Sequence, residues 1–189
     1  MKKGRLEAFS DGVLAIIITI MVLELQIPHE ASLAALVPVF PKFLSYVLSF
    51  IFLGIYWNNH HHLWQAAERV SGSVLWANLH LLFWLSLIPF VTGWMGENQF
   101  ATLPVAFYGI VLWMSAFAYF LMVRALMAHH DQESVLAAAL GDGTKERISL
   151  ILYTAAIPLA FVSPWIALAI YVIVAIMWLI PDRRIESKL

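Results

Sequence analysis

Long apolar stretches separated by short polar breaks dominate this chain. Six stretches are long enough to cross, or nearly cross, a hydrocarbon core of roughly 30 Å. They cover residues 9–27, 43–57 (continuing as a helix through residue 64), 74–94, 101–127, 148–162 and 165–180. The pattern predicts an all-α membrane protein in which residues 1–189 form one domain of six transmembrane helices. Since only Ser163 and Pro164 separate the last two stretches, we expect them to form an antiparallel helical hairpin.

The basic residues predict the orientation of these helices. If the N-terminus is cytoplasmic and six spans alternate, only Lys42 of the 11 Lys and Arg residues falls on the outer side. The residues on the inner side are Lys2, Lys3, Arg5, Arg69, Arg124, Lys145, Arg147, Arg183, Arg184 and Lys188. Because cytoplasmic loops carry an excess of Lys and Arg, both termini are predicted to be cytoplasmic.

Composition narrows the class of protein further. Hydrophobic residues make up 62% of the chain and charged residues 12%, whereas a soluble domain is about half apolar and about a quarter charged. The chain contains no cysteine, which excludes disulfides, thiolate metal sites and cysteine nucleophiles. A net charge of −1 argues against a nucleic-acid surface, which needs a concentrated positive patch.

The first predicted helix carries an aspartate where it enters the membrane. A charge inside a bilayer is costly, so Asp11 needs water or a partner. Two interpretations remain open and are compatible. Either Ser10 or Asp11 caps the N-terminus of the helix, or Asp11 belongs to a polar network with Arg5 and other helices.

Beyond Asp11, this helix has an aliphatic stripe. At about 100° per residue, five side chains fall within an arc of roughly 80°, namely Val13, Ile16, Ile20, Leu23 and Ile27. Thr19 lies just outside the arc, and Asp11 points more than about 90° from its centre. Such a stripe is typical of a packing surface. It could also form a hydrophobic constriction that closes a pathway by dewetting.

The histidines do not predict a metal site. His60, His61 and His62 are consecutive, so on a helix they spread over roughly 200° and cannot converge on one ion. A solvated helix end is the simpler expectation for most of them. His80, inside the third span, should be hydrogen-bonded, with Asn78, Asn59 or the Asp11 region as candidate partners, and it could sense protons.

Enzyme chemistry finds no support in the sequence. The chain has no phosphate-binding glycine loop, no His-Glu-x-x-His site and no nucleophile elbow. No cofactor is expected.

The opening motif resembles that of a known family. Arg5-x-x-x-Phe9-Ser10-Asp11-Gly12-Val13, followed by Ala15-Ile16 and Thr19, is similar to the signature of the lysosomal potassium channel family (transmembrane protein 175 type). The likeness is strongest to bacterial members, which have one six-helix unit per chain. Weaker matches follow at residues 56–61 and between Asn78 and Phe90.

The resemblance implies a homotetramer whose first helices line a central pore. By offset from the motif, the constriction falls on Ile16 and continues outward through Ile20 and Leu23. Thr19 matches the threonine that favours K⁺ over Na⁺. The motif residues Arg5, Phe9, Ser10 and Asp11 would brace the cytoplasmic end against the second and third helices. The candidate bracing partners are Trp57, Asn59, His60, Asn78 and His80.

Together these observations predict a potassium-preferring cation channel in an inner membrane, with K⁺ and other monovalent cations as its ions. Glu24, near the outer end of the first helix, could concentrate cations or simply lie at the interface. One alternative is a proton-coupled secondary transporter that uses Asp11 and His80 as a relay; another is a proton-permeable leak channel. A membrane enzyme or a structural subunit is a third class, which no residue pattern favours.

Overall fold

The computed structural model describes residues 3–67, 70–128 and 143–179. Within these ranges the chain forms seven α-helices and one short 3-10 helix. They are α1 (Lys3–Leu23), the 3-10 helix (Leu33–Val39), α2 (Phe40–Ala66), α3 (Gly72–Ser86), α4 (Ile88–Glu97), α5 (Thr102–Met127), α6 (Thr144–Leu159) and α7 (Pro164–Leu179). The all-α prediction is confirmed.

The third predicted span is not one continuous helix. It is divided at Leu87 into α3 and α4, and Pro89 lies in the first turn of α4. Proline has no N–H to donate to the carbonyl four residues earlier, and its ring crowds that carbonyl, so the helix is interrupted there. Residues Gly72–Glu97 nevertheless form one apolar stretch, which gives six helical segments along the chain.

Four of these segments are long and apolar enough to cross a membrane: Lys3–Leu23, Leu33–Ala66, Gly72–Glu97 and Thr102–Met127. Among the described residues, the prediction of six full spans is therefore confirmed for four segments only. α6 and α7 have 16 residues each, or about 24 Å at 1.5 Å per residue. The turn before Pro164 ends α6 at Leu159, three residues earlier than predicted. The two helices pack against each other, so the predicted hairpin is confirmed.

Some sequence predictions fall outside the described ranges. These are the end of the last span at Ile180 and the basic residues Lys2, Arg69, Arg183, Arg184 and Lys188.

The core is arranged around α5, which contacts α3, α4, α6 and α7. α1 packs on the opposite side of the bundle, against α2, α3 and α4. At Gly109 the backbone of α5 comes close to α7. A Cβ atom at this position would overlap the hydroxyl of Tyr171 and lie 2.8 Å from its Cζ atom. The missing side chain therefore makes room for a buried tyrosine ring.

We expect Gly109→Ala to destabilise the fold by about 1–3 kcal/mol, because the added methyl overpacks this contact. The double variant Gly109→Ala with Tyr171→Phe should recover part of the loss. The measurement is the thermal unfolding midpoint in detergent. Gly54→Ala is the matched control: nothing lies within 4 Å of its Cβ position, so a better helix former should be neutral or stabilising there. Equal midpoints for both alanine variants would contradict the prediction.

Candidate functional site

α1 has two faces of different character. One face is buried in the bundle and contains Leu6, Ser10, Leu14, Ile17 and Met21. The other is exposed and follows alternate steps of four and three residues. We call it the exposed row; it consists of Arg5, Phe9, Gly12, Ile16, Thr19 and Leu23, with Ile20 beside it. Such spacing is typical of a seam where helices pack against one another.

The predicted aliphatic stripe is therefore right in part. Ile16, Ile20 and Leu23 are 58%, 43% and 81% exposed, respectively. Val13 instead packs partly against the core, because its direction falls between the two faces. Ile27 lies beyond the end of α1 at Leu23 and does not continue the helical row.

Thr19 lies on the exposed row one turn after Ile16. Its hydroxyl donates a hydrogen bond to the carbonyl of Ile16 at 2.9 Å. With its hydrogen committed to the backbone, the hydroxyl oxygen keeps its lone pairs for an acceptor role. An exposed oxygen beside an aliphatic layer can coordinate a cation.

A buried chain of hydrogen bonds fixes the opposite face of α1. The Asn78 Nδ2 group donates to Ser10 Oγ at 2.9 Å, and the Asn78 Oδ1 atom lies 2.8 Å from Nε2 of His60. The Ser10 hydroxyl in turn donates to the carbonyl of Leu6 at 2.9 Å. Ser10, His60 and Asn78 are all buried, so the chain connects α1, α2 and α3 inside the bundle.

The same chain determines which nitrogen of His60 carries the hydrogen. The indole Nε1 of Trp64 lies 3.1 Å from Nδ1 and 2.8 Å from Nε2 of the ring. Only one assignment satisfies every donor: Nε2–H donates to Asn78, and Nδ1 accepts from Trp64. His60, one of the candidate bracing partners, is thus a fully hydrogen-bonded core residue and does not lie at a solvated helix end, the expectation for most of the histidines.

A second, more exposed row joins α1 to α2. Asp11 accepts a hydrogen bond from Trp57 Nε1 at 3.1 Å, and Glu7 lies 3.2 Å from Nδ1 of His61. One further turn along, the Lys3 ammonium donates to the carbonyl of Ala67 at 3.0 Å, at the C-terminal end of α2. Positions 3, 7 and 11 thus meet α2 at intervals of one turn, and the pairs fix the rotation of α1.

The helix-cap interpretation of Ser10 and Asp11 is wrong. The first described helix begins at Lys3, so both residues lie inside it, and their side chains bond other groups. Among the partners expected for Asp11, Arg5 is exposed on the other face of α1. It forms no hydrogen bond or ion pair with any residue in the described ranges.

Two predicted network partners lie elsewhere. His80 accepts a hydrogen bond at 2.9 Å from Trp84 Nε1, one turn further along its own helix, and not from Asn78, Asn59 or Asp11. Asn59 donates to the carbonyl of Ile55 at 2.8 Å and takes no part in the buried chain. Both residues bond within their own helices, because a partner four residues away lies on the same side of a helix.

Sequence reasoning missed Lys3, Glu7, His61 and Trp64. A signal was present: Lys3, Glu7 and Asp11 repeat at four residues. Trp57, His61 and Gln65 repeat at the same interval on α2. Two polar rows with the same spacing can form contacts between a pair of antiparallel helices. The sequence alone does not say which helices are neighbours.

Glu24 lies just beyond α1, at a polar cavity of about 180 Å³. Lys42 and Glu97 line the same cavity and form an ion pair at 3.3 Å. The C-terminal end of α1 therefore lies at a polar cavity lined by charged side chains.

The sequence and fold of this chain are similar to those of known proteins. A family model described as endosomal/lysosomal potassium channel TMEM175 matches residues 5–89. A protein of Chryseobacterium sp. (strain P1-3) named potassium channel is 57% identical over 189 residues, covering 100% of this chain and 98% of the relative. The crystal structure of a lysosomal potassium-selective channel TMEM175 homolog from Chamaesiphon minutus superposes with a TM-score of 0.81. That match has 26% identity and covers 96% of this chain and 97% of the other.

A more distant match comes from Gallus gallus, in a protein named endosomal/lysosomal proton channel TMEM175. It is 29% identical over 153 residues, which is 71% of this chain and 30% of the relative.

Proposed function

This chain belongs to the TMEM175 family, and on that premise we propose that it is a potassium-preferring cation channel carrying passive K⁺ flux across a membrane. The family consists of ion channels, not enzymes. In our proposal residues 1–189 form a single multi-pass domain, and four copies of it assemble around one axis. The channel lies in the inner membrane, with both termini on the cytoplasmic side.

The observation that carries the proposal is the exposed row of α1. Its members repeat at four and three residues, while the opposite face is fixed by buried hydrogen bonds. A row of this kind is what several symmetry-related helices need to converge on one axis. Four copies would bring the same side chains together in successive layers.

We infer that Ile16 forms the narrowest layer and that Ile20 and Leu23 continue it outward. Rings of aliphatic side chains exclude water from a short segment, so a cation must shed hydration to pass. The Thr19 oxygens, one turn from Ile16, are the nearest polar groups that could compensate for this loss. Because such a filter has few oxygens, we expect it to prefer K⁺ over Na⁺ moderately.

The motif residues take a supporting role in this proposal. Asp11 and Ser10 face α2 and α3 and hold α1 in the rotation that presents Ile16 and Thr19 to the axis. Phe9 and Arg5 lie on the exposed row itself, at its cytoplasmic end.

The hydrogen bonds of Asp11 and His80 do not support the alternative of a proton-coupled transporter. A relay through Asp11 and His80 would need a connection between them, but Trp57 holds one and Trp84 the other. The two residues share no hydrogen-bond partner in the part of the chain that the structure describes.

The test is the reversal potential of purified protein in planar bilayers with K⁺ on one side and Na⁺ on the other. We expect single-channel currents that reverse toward the potassium equilibrium potential. Silent bilayers together with saturable, proton-driven uptake into liposomes would instead support a carrier.

Replacing Asp11 by Ala should reduce assembly more than selectivity. The variant loses the bond to Trp57, worth about 1 kcal/mol, and with it one of the contacts that fix α1. The expected result is a smaller tetramer fraction by light scattering after size exclusion, with an unchanged reversal potential. Glu97→Ala removes a carboxylate from an exposed ion pair and should leave assembly intact. A stable Asp11→Ala tetramer with shifted ion preference would contradict the bracing role.

A further inference from the structure

The polar cavity at the C-terminal end of α1 is lined by two carboxylates and one ammonium group. They belong to Glu24, Glu97 and Lys42, and the cavity has a volume of about 180 Å³. Oε2 of Glu24 lies 3.8 Å from the position that a Cβ atom would take at Gly93. Gly93 and Glu97 are one turn apart on the same face of α4, with about 5–6 Å between such Cβ positions. Both carboxylates therefore reach the same space.

Two helices also end at this cavity. α1 ends at Leu23 and α4 ends at Glu97, and neither helix has a basic residue in its last turn. The last carbonyl groups of a helix carry a partial negative charge, which favours a cation beside them. The two helix ends therefore add to the negative potential of the two carboxylates.

Lys42 supplies the balancing positive charge. Its ammonium is 3.3 Å from Oε1 of Glu97, and only 18% of the lysine side chain is exposed. At Gly96, α4 comes so close to α2 that an added Cβ atom would lie 2.7 Å from Cα of Lys42. The backbone of Lys42 is thus held against the end of α4. Glu24, in contrast, forms no hydrogen bond or ion pair with any residue in the described ranges.

The helix that carries Lys42 does not favour its charge. Lys42 lies in the first turn of α2, which begins at Phe40. The N-terminal end of a helix carries a partial positive charge and disfavours a cation. The ammonium is therefore stabilised by the groups of the cavity and not by its own helix.

We propose that Lys42 keeps divalent cations out of the polar cavity, so that only monovalent cations collect at this end of α1. With two carboxylates and one ammonium, the cavity lacks one positive charge, which a single monovalent cation supplies. Without the ammonium, the carboxylates, the helix carbonyls and water offer the oxygen ligands that Ca²⁺ takes, about six to eight per ion. The ammonium group beside Glu97 replaces that ion.

The effect on ion flow rests on the proposed channel function. Leu23 belongs both to the exposed row and to the lining of the cavity, so the cavity adjoins the path that we assign to K⁺. A divalent cation fixed there would repel K⁺ from that end of the path. Binding of the divalent cation does not require a current and can be measured by itself.

The first experiment measures the thermal unfolding midpoint in detergent and KCl, with and without about 10 mM CaCl₂. This concentration is about ten times the Kd of roughly 1 mM that is typical of weak Ca²⁺ sites. We expect the midpoint of Lys42→Met to rise by about 4 °C with Ca²⁺, the shift that a ligand causes at about ten times its Kd. The midpoint of the unmodified protein should not change.

Two variants are the controls for this shift. Lys42→Met combined with Glu97→Gln has the net charge of the unmodified protein but one carboxylate fewer in the cavity. Lys3→Met removes a lysine at the other end of the bundle, where its ammonium donates to carbonyl oxygens. We expect no Ca²⁺ shift in either. If Lys42→Met does not fold, Lys42→Gln removes the same charge and keeps a hydrogen-bond donor near Glu97.

The second experiment measures K⁺ current in planar bilayers with about 10 mM Ca²⁺ on both sides. Each variant is compared with its own current in the absence of Ca²⁺. We expect an about tenfold loss of current in Lys42→Met, because at about ten times the Kd only about one site in eleven is free. The unmodified protein and the double variant should keep their currents.

Three results would overturn the inference. They are an equal Ca²⁺ shift in Lys42→Met and the unmodified protein, no shift in Lys42→Met, and a shift that persists when Glu97→Gln is added. Failure of the proposed potassium function would be seen differently, as absent K⁺ current in the unmodified protein. The thermal measurement would still test the role of Lys42 in that case.

Discussion

Ile16→Asn should increase the single-channel current about fivefold and weaken the preference for K⁺ over Na⁺. If Ile16 forms the dry layer, four amide side chains would let water and ions enter it. A barrier lowered by about 1 kcal/mol corresponds to about a fivefold faster passage. The measurement is single-channel conductance together with the bi-ionic reversal potential in planar bilayers.

The matched control for this experiment is Val22→Asn. Val22 is 44% exposed and belongs to the same helix as Ile16, but it points roughly 120° away from Ile16 at 100° per residue. We expect near-normal conductance and selectivity from this control. If Ile16→Asn has the conductance and selectivity of the unmodified channel, Ile16 does not form the constriction. If Val22→Asn has an equal effect, the exposed row is not the face of α1 that lines the pore.

The largest effect on stability is expected from Asn78→Leu. This near-isosteric change leaves Ser10 Oγ and Nε2 of His60 without their shared partner in a buried site. The unpaired Nε2–H of His60 costs about 1–3 kcal/mol. Ser10 keeps its bond to Leu6 and loses one accepted hydrogen bond, worth about 0.5–1.5 kcal/mol, so the total loss is about 1.5–4.5 kcal/mol. We expect a large fall in the thermal unfolding midpoint, measured by size exclusion with fluorescence detection after heating.

Ser115→Ala provides the opposite case in the same assay. Ser115 is buried, and its hydroxyl has no hydrogen-bond partner among the described residues. Removing an unsatisfied hydroxyl should therefore be neutral or stabilising. If Asn78→Leu is as stable as Ser115→Ala, the chain from Ser10 to His60 does not hold α1 in place.

The polar contacts of α1 illustrate where sequence reasoning ended. Helical geometry placed Asp11 away from the aliphatic stripe, and the structure puts it against Trp57 on α2. The same reasoning gave His80 the candidate partners Asn78, Asn59 or the Asp11 region, whereas the structure gives it Trp84, one turn further along its own helix. Angular position around one helix follows from the sequence, because it depends only on residue number. The identity of the facing residue depends on which helices are neighbours and at what height.

The sequence also predicted where the helices lie better than where they begin and end. Each helical segment overlaps one of the predicted apolar stretches. The first apolar stretch begins at residue 9, however, whereas α1 begins at Lys3, because Lys3 and Glu7 bond to residues of α2 and its C-terminal cap. The break at Leu87 comes from Pro89, which was visible in the sequence. Proline is tolerated in membrane helices where neighbours satisfy the freed carbonyl, so its presence alone did not predict a break.

By itself, the sequence determined that this protein is helical and membrane-embedded, which side of α1 is aliphatic, and which family motif it carries. Those properties depend on composition and on the fixed geometry of one helix. Only the tertiary structure decided that Ser10, Asn78 and His60 share one buried chain, and that Val13 of the predicted stripe packs partly against the core. In these helices aliphatic residues occupy every face, so hydrophobicity cannot distinguish a lipid-facing side from a core-facing one, and pairing is fixed by packing and hydrogen bonds between helices.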